Sequence, residues 1–132
     1  MTWTDIADQL TPDQITLLRK CDCGTNLRPL ARAFAAQNLL QALHADVPPP
    51  ADASGVCEWR YVNGAAQRFF CGTGRGTVVR VEIHGQQRAD GSVSSRAIFV
   101  TTGNGVDLTP AEARNAAHNL LAAAYEMEAL TD

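Results

Sequence analysis

The apolar residues fall in two rhythms along the chain. Spacing of three to four runs up to residue 45, alternation follows from residue 56 to residue 102, and helical spacing returns at the end. Two helices are marked at their starts. In "TPDQ" (11–14) Thr11 is the N-cap, Pro12 takes the first helical position and Gln14 closes a capping box. "TPAE" (109–112) repeats the device with Thr109, Pro110 and Glu112. The first helix runs through Ile15, Leu17 and Leu18 and stops near Cys21, with a short helical turn from Thr4 to Gln9 ahead of it. "NLRPLARAFAAQNLLQALHA" predicts a longer helix from Asn26 to Ala45. Its stripes Leu27–Leu30–Ala31–Phe34 and Ala36–Leu39–Leu40–Leu43 are displaced around the axis. That spread predicts burial on more than one side, in the first place inside its own domain and in the alternative at a dimer or partner interface.

"DVPPPADASG" (46–55) breaks the helical pattern, because three prolines favour extended backbone. Four strand candidates follow. "VCEWRYV" (56–62) and "QRFFCGT" (67–73) flank an Asn-Gly turn, and "TVVRVEIHG" (77–85) and "VSSRAIFVTT" (93–102) flank an Asp-Gly turn. In the third strand Val79, Val81 and Ile83 alternate inward, with Arg80, Glu82 and His84 outward. In the first hairpin, parity favours a register that sets Trp59 opposite Phe69 and Cys57 opposite Cys71, all on the core face. The cysteines then lie either directly opposite or one two-residue step apart. The terminal helix, Pro110 to Leu130, carries Ala113, Ala117, Leu120, Leu121, Ala124 and Met127 on the side expected to meet the sheet.

The expected fold is therefore α+β: N-terminal helices, then a four-stranded antiparallel β-meander packed against a C-terminal helix. It reads as a single domain over 1–132, with a helical lobe at 1–46, a Pro-rich connector at 47–55 and the meander plus C-terminal helix at 56–132.

Composition narrows the function. The 132 residues are 45% hydrophobic and 19% charged, as in a globular domain. A net charge of −3 argues against broad binding to phosphate backbones. No apolar run approaches the ~20 residues of a membrane span, and "MTWTDIADQL" lacks the features of a signal peptide. The expected compartment is the cytoplasm, where cysteines stay reduced or bind metal.

"KCDCG" (20–24) raises the question of zinc, whose four ligands would be Cys21, Cys23, Cys57 and Cys71. A C-x-C pair is a weak chelating spacing, and the hairpin cysteines suit small buried hydrophobes, so free thiols and no cofactor are expected. His44, His84 and His118 stand in no metal-binding or catalytic spacing. "CGTGRGTVV" (71–79) joins two strands and opens no helix, so it reads as a bulged connection and not as a phosphate loop. The helix–strands–helix order invites comparison with double-stranded-RNA-binding domains, but "TPAEARNAAH" lacks their basic cluster.

"VRVEIHGQQRADGSVSSRAIFVTTGNGVDLTPAEARNAAHNLLAAAYEME" (79–128) and "TWTDIADQLTPDQ" resemble small uncharacterised proteins of actinobacteria and of mycobacterial phages and prophages. The resemblance rests on caps and turns over about half the chain. It implies a mobile-element origin and no activity, ligand or catalytic residue.

With acids, bases and nucleophiles scattered, the expectation is a non-catalytic binding module acting through protein–protein contact or self-association. Arg28, Phe34, Arg60, Phe70 and Arg75 are the candidate contacts, since Arg and aromatic residues often anchor interfaces. The alternative is a small nucleic-acid-associated or zinc-binding regulator using "RKCDCGTNLRPLAR" (19–32).

Overall fold

The computed structural model describes residues 2–21 and 26–130. The chain divides into two compact units, Met1–Asp46 and Val47–Asp132.

The first unit holds a 3₁₀ helix, Trp3–Gln9, and the helices α1 (Pro12–Lys20) and α2 (Arg28–Leu43). The capping box at Thr11 is formed: Gln14 N donates to Thr11 Oγ1, and Thr11 N donates to Gln14 Oε1. The same Gln14 amide pairs reciprocally with Asn38 on α2. Trp3, Leu18 and Ala31 form the core, with Ile6, Leu10, Ile15, Leu27 and Phe34 packed around it. Helix α2 departs from the expectation of burial on more than one side. Ala31 and Leu40 are buried, whereas Leu30, Leu39 and Leu43 are exposed.

The second unit is an antiparallel sheet with one helix. β3 (Ala65–Arg75), β4 (Val79–Arg88) and β5 (Val93–Thr102) form the meander. The outer edge of β3 is paired in two pieces, β1 (Gly55–Val56) and β2 (Arg60–Val62). α3 (Pro110–Leu130) packs across β4 and β5.

The register of the first hairpin differs from the expected one, and the turn explains why. Asn63 and Gly64 both have positive φ, 51° and 82°, which makes a two-residue connection. It pairs Arg60 with Gln67 and Tyr61 with Ala66. Continued by one residue, that register sets Trp59 opposite Arg68, and the Arg68 guanidinium does lie 4.5 Å from the Trp59 ring centroid. Between Trp59 and Val56 the register changes by one: Gly55 faces Cys71, Val56 faces Phe70 and Cys57 N donates to Phe69 O at 2.8 Å. Cys57 and Cys71 therefore share a face one two-residue step apart, within the expected range, but they do so with Phe69 on the open face, while Trp59 is turned to the buried one. Phe70, not Phe69, fills the core; its ring would collide at 2.4 Å with a Cβ on Gly85.

The terminal helix is rotated from the expected orientation. Ala116, Asn119 and Ala123 are buried, and Ala123 meets Val81 and Ile83 with Met127 alongside. Their small size lets the helix approach the sheet closely, while Leu120, Leu121 and Tyr125 face outward.

The proline segment is a strap across the buried face of the sheet. Arg68 Nη2 donates to Val47 O (3.1 Å) and Gln87 Nε2 to Pro48 O (2.8 Å); Arg68 Nε donates to Gln87 Oε1 (2.8 Å). Asp52 receives both Nε and Nη2 of Arg96, at 3.1 and 2.8 Å. Residues 47–53 thus belong to the second unit's packing. No described helix is long and apolar enough to cross a membrane.

Candidate functional site

With α3 and the strap on one face, β3–β5 turn their other face outward. Alternation places Phe69 and Cys71 of β3, Glu82, His84 and Gln86 of β4, and Ala97 and Phe99 of β5 on that side. Cys71 pairs directly with His84, and Glu82 pairs with Phe99.

A β-bulge shapes the site. Four residues of β3, from Cys71 to Gly74, run against three of β4, from His84 to Glu82. The extra residue sends Thr73 and Arg75 toward α3, where both reach Glu126 Oε1, at 3.0 and 3.2 Å. It also places Gly74 opposite Glu82, leaving no side chain there. The Arg80 guanidinium occupies the gap; its Nη2 would lie 2.2 Å from a Cβ on Gly74. From there Arg80 donates to Glu82 Oε1 (3.0 Å) and to Gly76 O (3.2 Å). The run "CGTGRG" is therefore a bulge that seats an arginine.

Glu82 is held from two sides, because His84 Nε2 lies 2.9 Å from its Oε2. The hydrogen bonds to His84 and Arg80 keep its carboxyl below the usual range. The His84 ring stacks on Phe99, with centroids 4.7 Å apart and planes 14° from parallel. Cys71 completes the group: single ligand atoms of Cys71, Glu82 and His84 all lie within 4.8 Å of one another. Desolvation, then the charge of Glu82, then that of Cys57 push the Cys71 thiol up. A raised thiol is the reverse of what an activated nucleophile needs. Beside the group lies a shallow groove of about 220 Å³, lined by Phe69, His84, Gln86, Ser95, Ala97 and Phe99.

Comparison with family models, with curated proteins and with solved structures finds no match.

The residues singled out in the sequence are dispersed. Arg28 is tied to Asp5 and to the Thr2 carbonyl, and Phe34 packs on the first unit's core. Phe70 is 1% exposed, which removes it from the surface, and Arg75 pairs with Glu126. Arg60 is exposed and lies on the open sheet face beside Val62 and Phe69. Of the four cysteines, Cys21 sits at the end of α1, Cys57 and Cys71 lie on the sheet, and Cys23 falls outside the described residues. The grouping of Cys71 with Glu82 and His84 escaped the sequence reading. Glu82 and His84 stand outward in a clean alternation, but hairpin parity from the sequence puts Cys71 inward with Trp59. The signal for its true face was the adjacent pair Phe69–Phe70, of which only one can be core.

Proposed function

We propose that the chain is a non-catalytic binding module acting through protein–protein contact at the open face of its sheet. One observation carries this reading: two phenylalanines on that face, Phe69 of β3 and Phe99 of β5, are 47% and 50% exposed. Exposed aromatic side chains next to an arginine, here Arg60, are the residue types that anchor interfaces. The raised Cys71 thiol and the shallowness of the groove favour contact over catalysis. The same reading takes the module to be cytoplasmic, a compartment in which disulfides are uncommon. A phage or prophage origin rests on the sequence resemblance alone.

The test compares wild type with the double variant Phe69→Ser/Phe99→Ser, by sedimentation and by capture from an actinobacterial lysate. Wild type should self-associate or retain a specific partner, and the variant should lose that contact while keeping its circular dichroism. A monomeric wild type that captures nothing specific, or a variant that binds as wild type does, refutes the reading.

A further inference from the structure

We propose that Cys71, Glu82 and His84 form a binding site for a borderline-soft divalent metal ion, zinc in the first instance, with a fourth position open to solvent. The donor set selects the ion. A thiolate, an imidazole and a carboxylate suit zinc and its transition-metal neighbours, whereas magnesium and calcium call for oxygen ligands throughout. Three protein ligands with an open fourth position is the arrangement of exchangeable and catalytic zinc sites; closed structural sites use four.

The backbone brings the three together by construction. Cys71 and His84 are direct cross-strand partners, and Glu82 stands two residues from His84 on the same face. The neighbours already do what outer ligand shells do. Arg80 holds Glu82 Oε1 and leaves Oε2 facing His84, while Phe99 fixes the plane of the imidazole.

The distances are those of a ligand set relaxed around its own hydrogen bond. A tetrahedral zinc ion with bonds of roughly 2.0–2.3 Å sets its ligand atoms about 3.3–3.6 Å apart. The 2.9 Å contact of His84 with Glu82 must therefore open by about half an ångström, and no pair, all being within 4.8 Å, need close by more than about 1.5 Å. Side-chain rotation suffices for both. On binding, the Cys71 thiol and His84 Nε2 each give up a proton to solvent, a neutral imidazole taking one up at Nδ1 and an imidazolium keeping the one it has there, and the His84–Glu82 hydrogen bond is exchanged for two bonds to the metal. The site differs from a four-cysteine site in every ligand but Cys71. It also goes beyond the protein-contact reading, since the isolated chain binds or fails to bind metal whether or not a partner exists.

Cobalt(II) titration of the reduced full chain, followed by zinc displacement, tests the proposal. Wild type should take up one equivalent with a thiolate-to-metal charge-transfer band, and zinc should abolish the band. Cys71→Ser should remove it, and Glu82→Gln and His84→Gln should each weaken binding by more than about tenfold. Cys57→Ser and Cys21→Ser/Cys23→Ser should leave stoichiometry and band intact. All these substitutions on the sheet lie on its open face, so circular dichroism should not change. Alkylation of the wild-type chain gives a second readout, with zinc shielding Cys71. Absence of the band in wild type, its survival in Cys71→Ser, unchanged affinity in both Gln variants, its loss with Cys57 or with Cys21 and Cys23, or undiminished alkylation of Cys71 under zinc would overturn the assignment.

Discussion

Gly74 and Gly85 show how one geometric fact carries two energetic meanings. A Cβ at either position meets an atom well inside contact distance, 2.2 Å at Gly74 and 2.4 Å at Gly85. At Gly74 that atom is the tip of the Arg80 side chain, which can swing away. At Gly85 it is the Phe70 ring, fully buried, with the Ser95 carbonyl at 2.9 Å on another side. Gly85→Ala should therefore cost about 1–3 kcal/mol, as overpacking does. Gly74→Ala should stay within about 0.5 kcal/mol of wild type. Urea denaturation of the two variants checks the contrast; equal costs would show that burial of Phe70 does not set the difference. Asp52 supplies a pH dependence at the same scale. The hydrogen bonds from Arg96 hold its carboxyl below the usual carboxylate value. A depressed folded-state pKa gives stability that is present above the unfolded value of about 4 and is lost as pH falls through the folded value. Asp52→Asn should accordingly lower the unfolding midpoint at neutral pH and flatten its decline on acidification. An acid profile identical to wild type would rule out this pair as its source.

Among elements, the helix starts were legible and the first hairpin was only partly so, for a physical reason. A cap is made by residues three apart, so "TPDQ" and "TPAE" contain their own answer. Strand register is set by a turn and can be reset by any irregularity beyond it. The Asn63–Gly64 turn fixes Arg60 against Gln67, and one extra residue before Trp59 reverses the parity of everything upstream. The bulge between Cys71 and Gly74 does the same at the other end of β3. Outward residues on the uninterrupted part of β4, Glu82 and His84, were therefore readable. The face of Cys71, between two parity changes, was not. Arg68 marks the element-scale consequence. Its guanidinium joins β3 to β4 through Gln87, reaches the strap through Val47 and lies over Trp59. Arg68→Ala leaves buried acceptors without a donor, so a loss of about 2–4 kcal/mol is expected by denaturant titration. A loss below about 0.5 kcal/mol would mean that water replaces the guanidinium without penalty.

For the molecule as a whole, the boundary between units falls before the prolines and not after them. A composition break suggested a connector, yet its carbonyls and Asp52 complete the buried face of the sheet. A fragment covering 45–132 should unfold cooperatively with the β-rich spectrum of the second unit. A fragment covering 54–132 keeps every strand but lacks the Val47, Pro48 and Asp52 partners of Arg68, Gln87 and Arg96, and should be less stable by more than about 2 kcal/mol. Equal midpoints for the two fragments would assign the strap no part in the core.

The strap also imposes an order in time. Its contacts reach forward 21 residues to Arg68, 39 to Gln87 and 44 to Arg96. Contacts this distant along the chain carry a loop-closure penalty that must be met before they return any stability. During synthesis residues 47–53 leave the ribosome first among those of the second unit. Their guanidinium and amide partners appear one after another as β3, β4 and β5 are made, so the earliest part of this unit to be born is the last that can be fully fastened.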